Sequence, residues 1–180
     1  QAGFAPGQRV LDLASGTGTL AIWIKQRERL LDITGVDVDP AILARAARKA
    51  KSANAPVDFA RAFSYDLPYP AAHFDRVVSS LFFHHLSWQD KSRTAQELFR
   101  VLRPGGELHV ADWGRQANVV MRGLFLMIQW LDGFDNTRDN AAGRLVHLFE
   151  DAGFVEVAQR RTFSTVFGTL ALYRAAKPAS

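Results

Sequence analysis

Short apolar runs alternate with stretches of helical spacing along most of this chain. Val10, Leu11 and Leu13 form a brief apolar run that ends in glycine-rich sequence, which predicts a buried strand feeding a tight turn. A helix is expected from just after Gly18, with Leu20, Trp23 and Ile24 on its buried side and Lys25, Arg27, Glu28 and Arg29 marking its exit into solvent. Residues 33–38 read as a second buried strand. Asp39 followed by Pro40 is a helix start, with Asp as the N-cap and Pro at the first helical position. Ile42, Leu43, Ala46, Ala47 and Ala50 then recur at helical spacing, to about Ser52.

Further strands are predicted over 57–60 and 74–80, separated by the turn-rich run Asp66, Leu67, Pro68, Tyr69, Pro70. Ser87, Trp88, Gln89 and Asp90 have the form of a capping box, opening a helix that carries Ala95, Leu98, Phe99 and Leu102 inward. Pro104, Gly105 and Gly106 should stop it and turn the chain into a fifth strand over 107–111. The last third breaks the rhythm. An apolar helical segment over 119–131 precedes a polar loop with Asp132, Asp135, Asn136 and Asn140, then a helix from about 141 to 152 capped by Gly153. Strands near 155–161 and 168–174 finish the chain, and the short link between them allows only an antiparallel hairpin. The expected class is α/β: one domain over 1–180, a doubly wound, mostly parallel seven-stranded sheet with a C-terminal antiparallel hairpin.

Composition narrows the function classes. With 180 residues, 48% of them hydrophobic, the chain can bury a single-domain core without metals or disulfides. It has no cysteine, which excludes a disulfide scaffold, a thiolate zinc site and cysteine nucleophile chemistry together. The formal charge of +4 is spread along the chain. Its densest patch, Arg45, Arg48, Lys49 and Lys51, reads as the solvated face of a helix, and no nucleic-acid motif accompanies it, so no nucleic-acid partner is expected. The opening residues Gln1, Ala2 and Gly3 do not resemble a secretory signal, and the 119–131 run contains Arg122 and Gly123 and falls short of a membrane span. A cytoplasmic protein without a metal site is expected.

The candidate chemistry begins in VLDLASGTGTLAI. Gly16 and Gly18 stand in the turn between the first strand and helix, where backbone can approach a ligand and the helix N-terminus offers free N–H groups and positive potential. Asp37, at the end of the second strand, lies where a carboxylate can accept from two ribose hydroxyls. Gly16, Gly18 and Ala21 also satisfy the G-x-G-x-x-A dinucleotide fingerprint, with an acidic residue at the right distance. An NAD(P)-dependent oxidoreductase is therefore the first rival. Asp12 breaks the tie, because it sets a carboxylate close to where a pyrophosphate would lie. S-adenosylmethionine brings a sulfonium and an ammonium instead, and no phosphate.

Four segments, LDLASGTGTL, GVDVDPAIL, YDLPYPAAHFDRVVSSLFFHHL and ELFRVLRPGGELHVAD, together resemble the class I S-adenosylmethionine-dependent methyltransferases. Within them the chain is similar to the small-molecule group of the ubiquinone and menaquinone methylases (methyltransferase type 11), over residues 9 to about 111. The resemblance implies a Rossmann-like sheet and S-adenosylmethionine as cofactor. It implies that Asp12 organises the glycine loop and, through water, the methionyl amino group. Ala14, Ser15, Gly16 and Gly18 would line the methionyl and ribose parts, Asp37 would hold the ribose hydroxyls and Val38 would pack on adenine. Ser79, Ser80 and Leu81 would border the sulfonium. The sequence departs from the family at two positions. Ala14 stands where the family usually has glycine, and Phe63 aligns with the aspartate that usually binds the adenine amino group. Phe63 is left to stack on adenine or to wall the pocket, with the Ser64 backbone N–H meeting the ring. These departures keep a non-catalytic module that binds S-adenosylmethionine or S-adenosylhomocysteine open as a second rival.

His84 and His85 follow the fourth strand, at the carboxyl edge where open α/β folds place ligands. An imidazole there can deprotonate a hydroxyl, or it can simply pack near the next helix start. For O- or N-methylation His85 is the first candidate and His84 the second, whereas a thiol, an enolate or a soft carbon needs no base. Asp112 is a third polar group at that edge. The 119–131 segment, with Met121, Leu124, Phe125, Met127, Ile128 and Trp130, suits either a cover over a hydrophobic or aromatic methyl acceptor or packing in the core or a homodimer. This gives the domain a helical substrate-cover insertion at about 115–140.

Overall fold

The computed structural model describes residues 2–114, 143–165 and 168–179. The predicted sheet is present, with seven strands in the order β3-β2-β1-β4-β5-β7-β6. The first five are β1 (Arg9–Leu13), β2 (Asp32–Asp37), β3 (Asp58–Arg61), β4 (Phe74–Ser80) and β5 (Leu102–Trp113), each pairing parallel with its neighbours among these five. β6 (Val155–Thr165) and β7 (Gly168–Ala176) form the antiparallel hairpin. β7 sits inside, antiparallel to β5, and leaves β6 at the edge. The polar sequence of β6 (VEVAQRRTFST) suits an edge, and the half-apolar β7 (GTLALYRAA) suits two flanking strands.

The chain leaves β1 to one side for β2 and β3, then returns to the other side for β4. That reversal opens a crevice beyond the carboxyl ends of β1 and β4. The pleat of β1 decides what faces it. Leu11 and Leu13 enter the large core with Val77, Phe83, Leu98 and Phe149, while Val10 enters a smaller core with Ala21, Ile24 and Val78. Asp12, by its period of two, shares the face of Val10.

Local signals place the helices well. α1 (Thr19–Arg27) begins at Gly18, which is left-handed at φ 72°. α2 (Pro40–Ser52) is capped by Asp39, whose carboxylate accepts from the Ala41 and Ile42 N–H groups at 2.7 and 3.4 Å. α3 (Trp88–Val101) is capped by Ser87, whose hydroxyl accepts from the Asp90 N–H at 3.2 Å. α4 (Leu145–Asp151) is shorter than the expected 141–152: Gly143 and Arg144 are in a turn, Arg144 is its N-cap, and Gly153 at φ 99° follows its end.

Four further expectations need correction. Trp23 is 51% exposed rather than buried. α1 packs through Ala21, Ile22 and Ile24, and Trp23, about 200° around the helix from Ala21, turns outward under the Arg27 guanidinium. Ala47 is exposed as well, because α2 buries only the stripe Leu43, Ala46 and Ala50. The third strand spans 58–61 rather than 57–60. Pro104, Gly105 and Gly106 do not separate helix from strand. β5 begins at Leu102, paired with Phe74, and the register slips across these residues before Glu107 meets Arg76. Gly105 (φ 73°) and Gly106 bond with Lys177, so the detour is fastened to the last strand's exit.

The 119–131 segment, the polar loop after it and the insertion at 115–140 lie outside the described residues. Among the described residues, no helix is long and apolar enough to cross a membrane.

Candidate cofactor site

Three left-handed residues shape the loop between β1 and α1: Ala14 (φ 55°), Gly16 (φ 52°) and Gly18 (φ 72°). For alanine this conformation costs about 1 kcal/mol. Hydrogen bonds fix the loop in place. The Ser15 N–H donates to Val36 O at 2.9 Å, the Gly18 N–H to Ser15 O at 2.8 Å and the Gly16 N–H to Asp37 Oδ2 at 2.9 Å. Asp37 Oδ1 also accepts from the Asp39 N–H at 3.1 Å, so this half-buried carboxylate ties the loop to the end of β2.

Asp12 lies beneath the loop and is 2% exposed. Its Oδ2 accepts from the Ala21 N–H at 3.1 Å. Burial drives its pKa up to about 7, against the lowering effect of the Ala21 bond, and the charge of Asp37 adds to the rise. The free N–H groups expected at this helix start are thus largely engaged. Those of Gly16, Gly18 and Ala21, the three fingerprint positions, already serve Asp37, Ser15 and Asp12. A phosphate would meet two carboxylates where it needs donors.

Two cavities open beside the loop and share Ala14. The first is bordered by Asp12, Ser15, Gly16, Trp23, Ser80 and Leu81. Ser15 Oγ is buried on the side of Gly35 without a hydrogen-bond partner among the described residues, and a Cβ added to Gly16 would meet nothing within 4 Å. The second, of about 210 Å³, is bordered by Asp37, Val38, Phe63, Ser64, Tyr65 and Phe82. This pairing fits an extended ligand with a cationic end in the first cavity, hydroxyls at Asp37 and a flat ring in the second. S-adenosylmethionine has that arrangement of groups.

Most of the sequence-derived site residues come together here. Ser79 does not face either cavity: it is 2% exposed and its hydroxyl donates to Leu13 O at 3.1 Å, holding β4 to β1. The Ser64 hydroxyl shares a 2.8 Å hydrogen bond with Thr94 on α3. Phe63 is 49% exposed and stacks on Tyr65, with centroids 5.5 Å apart and ring planes 16° apart. Arg93 of α3 sets its guanidinium carbon 3.9 Å from the Tyr65 ring centre. Sequence reasoning missed Tyr65 and Arg93. It also missed Gly35 and Phe59, although a glycine inside a strand is itself a sign of close approach. A Cβ on Gly35 would come within 2.7 Å of the Phe59 ring and 2.9 Å of Ser15 Oγ, and one on Gly18 within 2.8 Å of the same ring. Phe59 therefore supports the loop from β3.

The two histidines have different surroundings. They lie in a 3-10 turn, Phe83–His85, with ring centroids 3.9 Å apart. His84 is 3% exposed, and its Nδ1–H donates to Asp112 Oδ1 at 2.7 Å. Asp112 is fully buried and also accepts from the Phe82 and Trp113 N–H groups at 3.1 and 2.7 Å. The pair joins the ends of β4 and β5, while His85 is exposed. Among the described residues, no cluster of His, Asp and Glu is arranged to hold a metal ion.

The methyltransferase domain family matches residues 10–106. A demethylmenaquinone methyltransferase of Thermus thermophilus is 40% identical over 106 residues, which cover 59% of this chain and 47% of that protein. Another, of Deinococcus radiodurans, is 35% identical over 118 residues, covering 66% of this chain and 48% of that protein. The chain spans about half the length of these curated relatives. In fold, it is similar to a solved S-adenosylmethionine-dependent methyltransferase of Methanosarcina mazei, with a TM-score of 0.81 over 98% of this chain and 95% of that one, at 20% identity.

Proposed function

This chain belongs to the methyltransferase domain family, and on that premise we propose that it transfers a methyl group from S-adenosylmethionine to a small acceptor of hydrophobic or aromatic character. The observation that carries the cofactor half is the engagement of the glycine loop by two carboxylates. Asp12 and Asp37 take the N–H groups of Ala21 and Gly16, so the loop offers a ligand carboxylate oxygens rather than an anion cradle. A nicotinamide dinucleotide is disfavoured on the same ground. When bound, S-adenosylmethionine supplies a methyl group on a sulfonium, displaced in line from a neutral leaving group. The work left to the chain is alignment and exclusion of water.

In this reading Asp37 holds the ribose hydroxyls with its remaining acceptor capacity, Asp12 and Ser15 face the methionyl end, and Ser80 and Leu81 border the sulfonium. Val38 and Phe63 flank the base. His85, exposed at the carboxyl edge of β4, is the residue proposed to take a proton from an oxygen or nitrogen acceptor. His84 is held by Asp112 and acts as its buttress. A hydrophobic acceptor accords with the demethylmenaquinone methyltransferases among the relatives. The cover at 115–140, a cytoplasmic location and a homodimer belong to the same proposal, and cell fractionation and light scattering test the last two.

Separate calorimetric titrations with S-adenosylhomocysteine and NADH test the cofactor. Binding of the first and none of the second is expected, and heat from NADH alone would sink the reading. His85→Ala should slow turnover of an oxygen or nitrogen acceptor at unchanged cofactor affinity. Normal turnover returns His85 to a packing role.

A further inference from the structure

The second cavity has an open apolar rim. Val38 is 45% exposed and Phe63 49% exposed, although large apolar side chains usually find cover. Phe63 is nonetheless held in place. It stacks on Tyr65, Tyr65 lies under Arg93, and Arg93 is paired with Asp90 at 3.5 Å within α3. A flat ring entering between Val38 and Phe63 would meet an aromatic face already oriented from a helix.

The side chains of the same cavity offer little to accept from the amino group of a purine, and the Ser64 backbone N–H, a donor, can meet only a ring nitrogen. The cavity's sole carboxylate among the described lining residues is Asp37, committed to the Gly16 and Asp39 N–H groups at the ribose end. The Ser64 hydroxyl is engaged with Thr94. A site built to bond an amino group rejects analogues lacking it by large factors, because its own polar atoms are then left unpaired. A site built from ring faces has no such group to strand.

Building on the cofactor reading above, we propose that this chain recognises the purine of its cofactor by face, through the Phe63, Tyr65 and Arg93 stack, and does not select for the 6-amino group. Phe63 sets this specificity, and Tyr65 and Arg93 position it. The site therefore accepts cofactor analogues altered at the purine 6-position.

Calorimetry on the full chain tests this with S-adenosylhomocysteine and with the same molecule carrying hydrogen in place of the 6-amino group. Wild-type dissociation constants should agree within about threefold, since no buried acceptor is left unpaired by the change. Phe63→Ala should weaken both ligands alike, by about tenfold. Phe63→Asp should create a preference of about tenfold for the amino-bearing ligand. Arg93→Leu should weaken both ligands about threefold, and Arg93→Lys, which keeps a cation for the ring, should restore them. A wild-type preference of about tenfold or more for the amino-bearing ligand overturns the proposal, as does unchanged binding in Phe63→Ala. If the wild type binds neither ligand, the cofactor reading itself fails and this inference with it.

Discussion

At the carboxyl ends of β1 and β2, Asp12 and Asp37 share one glycine loop, while nearer the start of β5 Glu107 sits among Arg76, His109 and Arg174. Glu107 bonds Arg174 at 2.7 Å and His109 at 2.9 Å, with Arg76 at 3.6 Å. Burial there opposes ionisation, but the bonds from Arg174 and His109 and the charges of Arg76 and Arg174 hold Glu107 down at about 2. Asp12 is more deeply buried, and that burial raises it to about 7 with a single backbone bond in opposition. Among the described residues, neither Asp12 nor Asp37 forms an ion pair. A carboxylate that serves stability is neutralised by its own chain. One kept for a cationic ligand is held by backbone donors, with no cationic side chain of its own chain paired to it among the described residues.

The largest expected effect breaks the site end of this comparison. Asp37→Ala removes the acceptor for the ribose and strands the Gly16 N–H, and should weaken S-adenosylhomocysteine by about 1.5–3 kcal/mol in calorimetry. Unchanged affinity would remove Asp37 from the site. Next comes pH. The Asp12 pKa is raised on folding from 3.8 to about 7, so its contribution to stability is complete below 3.8 and is lost as pH rises through 7. A cation favours the ionised form. Affinity for S-adenosylmethionine should therefore rise up to about tenfold between about pH 6 and 8, and Asp12→Asn should flatten the curve. A flat wild-type profile contradicts the role given to Asp12.

At the other end, Glu107→Gln should cost about 1–2 kcal/mol in urea unfolding at neutral pH and leave cofactor affinity untouched. Because the Glu107 pKa is depressed, its contribution is present above 4.5 and lost as pH falls toward 2, the reverse of Asp12. A loss of cofactor affinity in this variant would show that the two ends are coupled. The smallest effect is expected from Ala14→Gly. It relieves a left-handed alanine and should raise stability by about 1 kcal/mol at most, since glycine returns part of the gain as backbone entropy.

Adjacent residues show where the sequence stops informing. His84 and His85 are identical in type and one position apart, so no local signal separates them. Asp112, distant in sequence, takes one into the interior and leaves the other exposed. Trp23 faces outward for a related reason. Helical spacing fixes which residues share a face, but the rotation of α1 is set by the packing of Ala21, Ile22 and Ile24 into the cores. The PGG run has the local form of a stop, yet its bonds to Lys177 keep it in the strand.

The sequence by itself determined the seven strands, the caps at Asp39 and Ser87, the glycine loop and the carboxylates beside it. Each depends on residues only a few positions apart, where backbone sterics and short-range hydrogen bonds decide the outcome. Only the tertiary structure decided that Asp12 is buried, that its N–H partner and that of Asp37 spend the donors a phosphate would need, and that Phe63 is held by Tyr65 and Arg93. Those facts arise from contacts across the sheet and between the segment after β3 and α3. Desolvation and ring stacking are properties of the packed environment, which no residue carries alone.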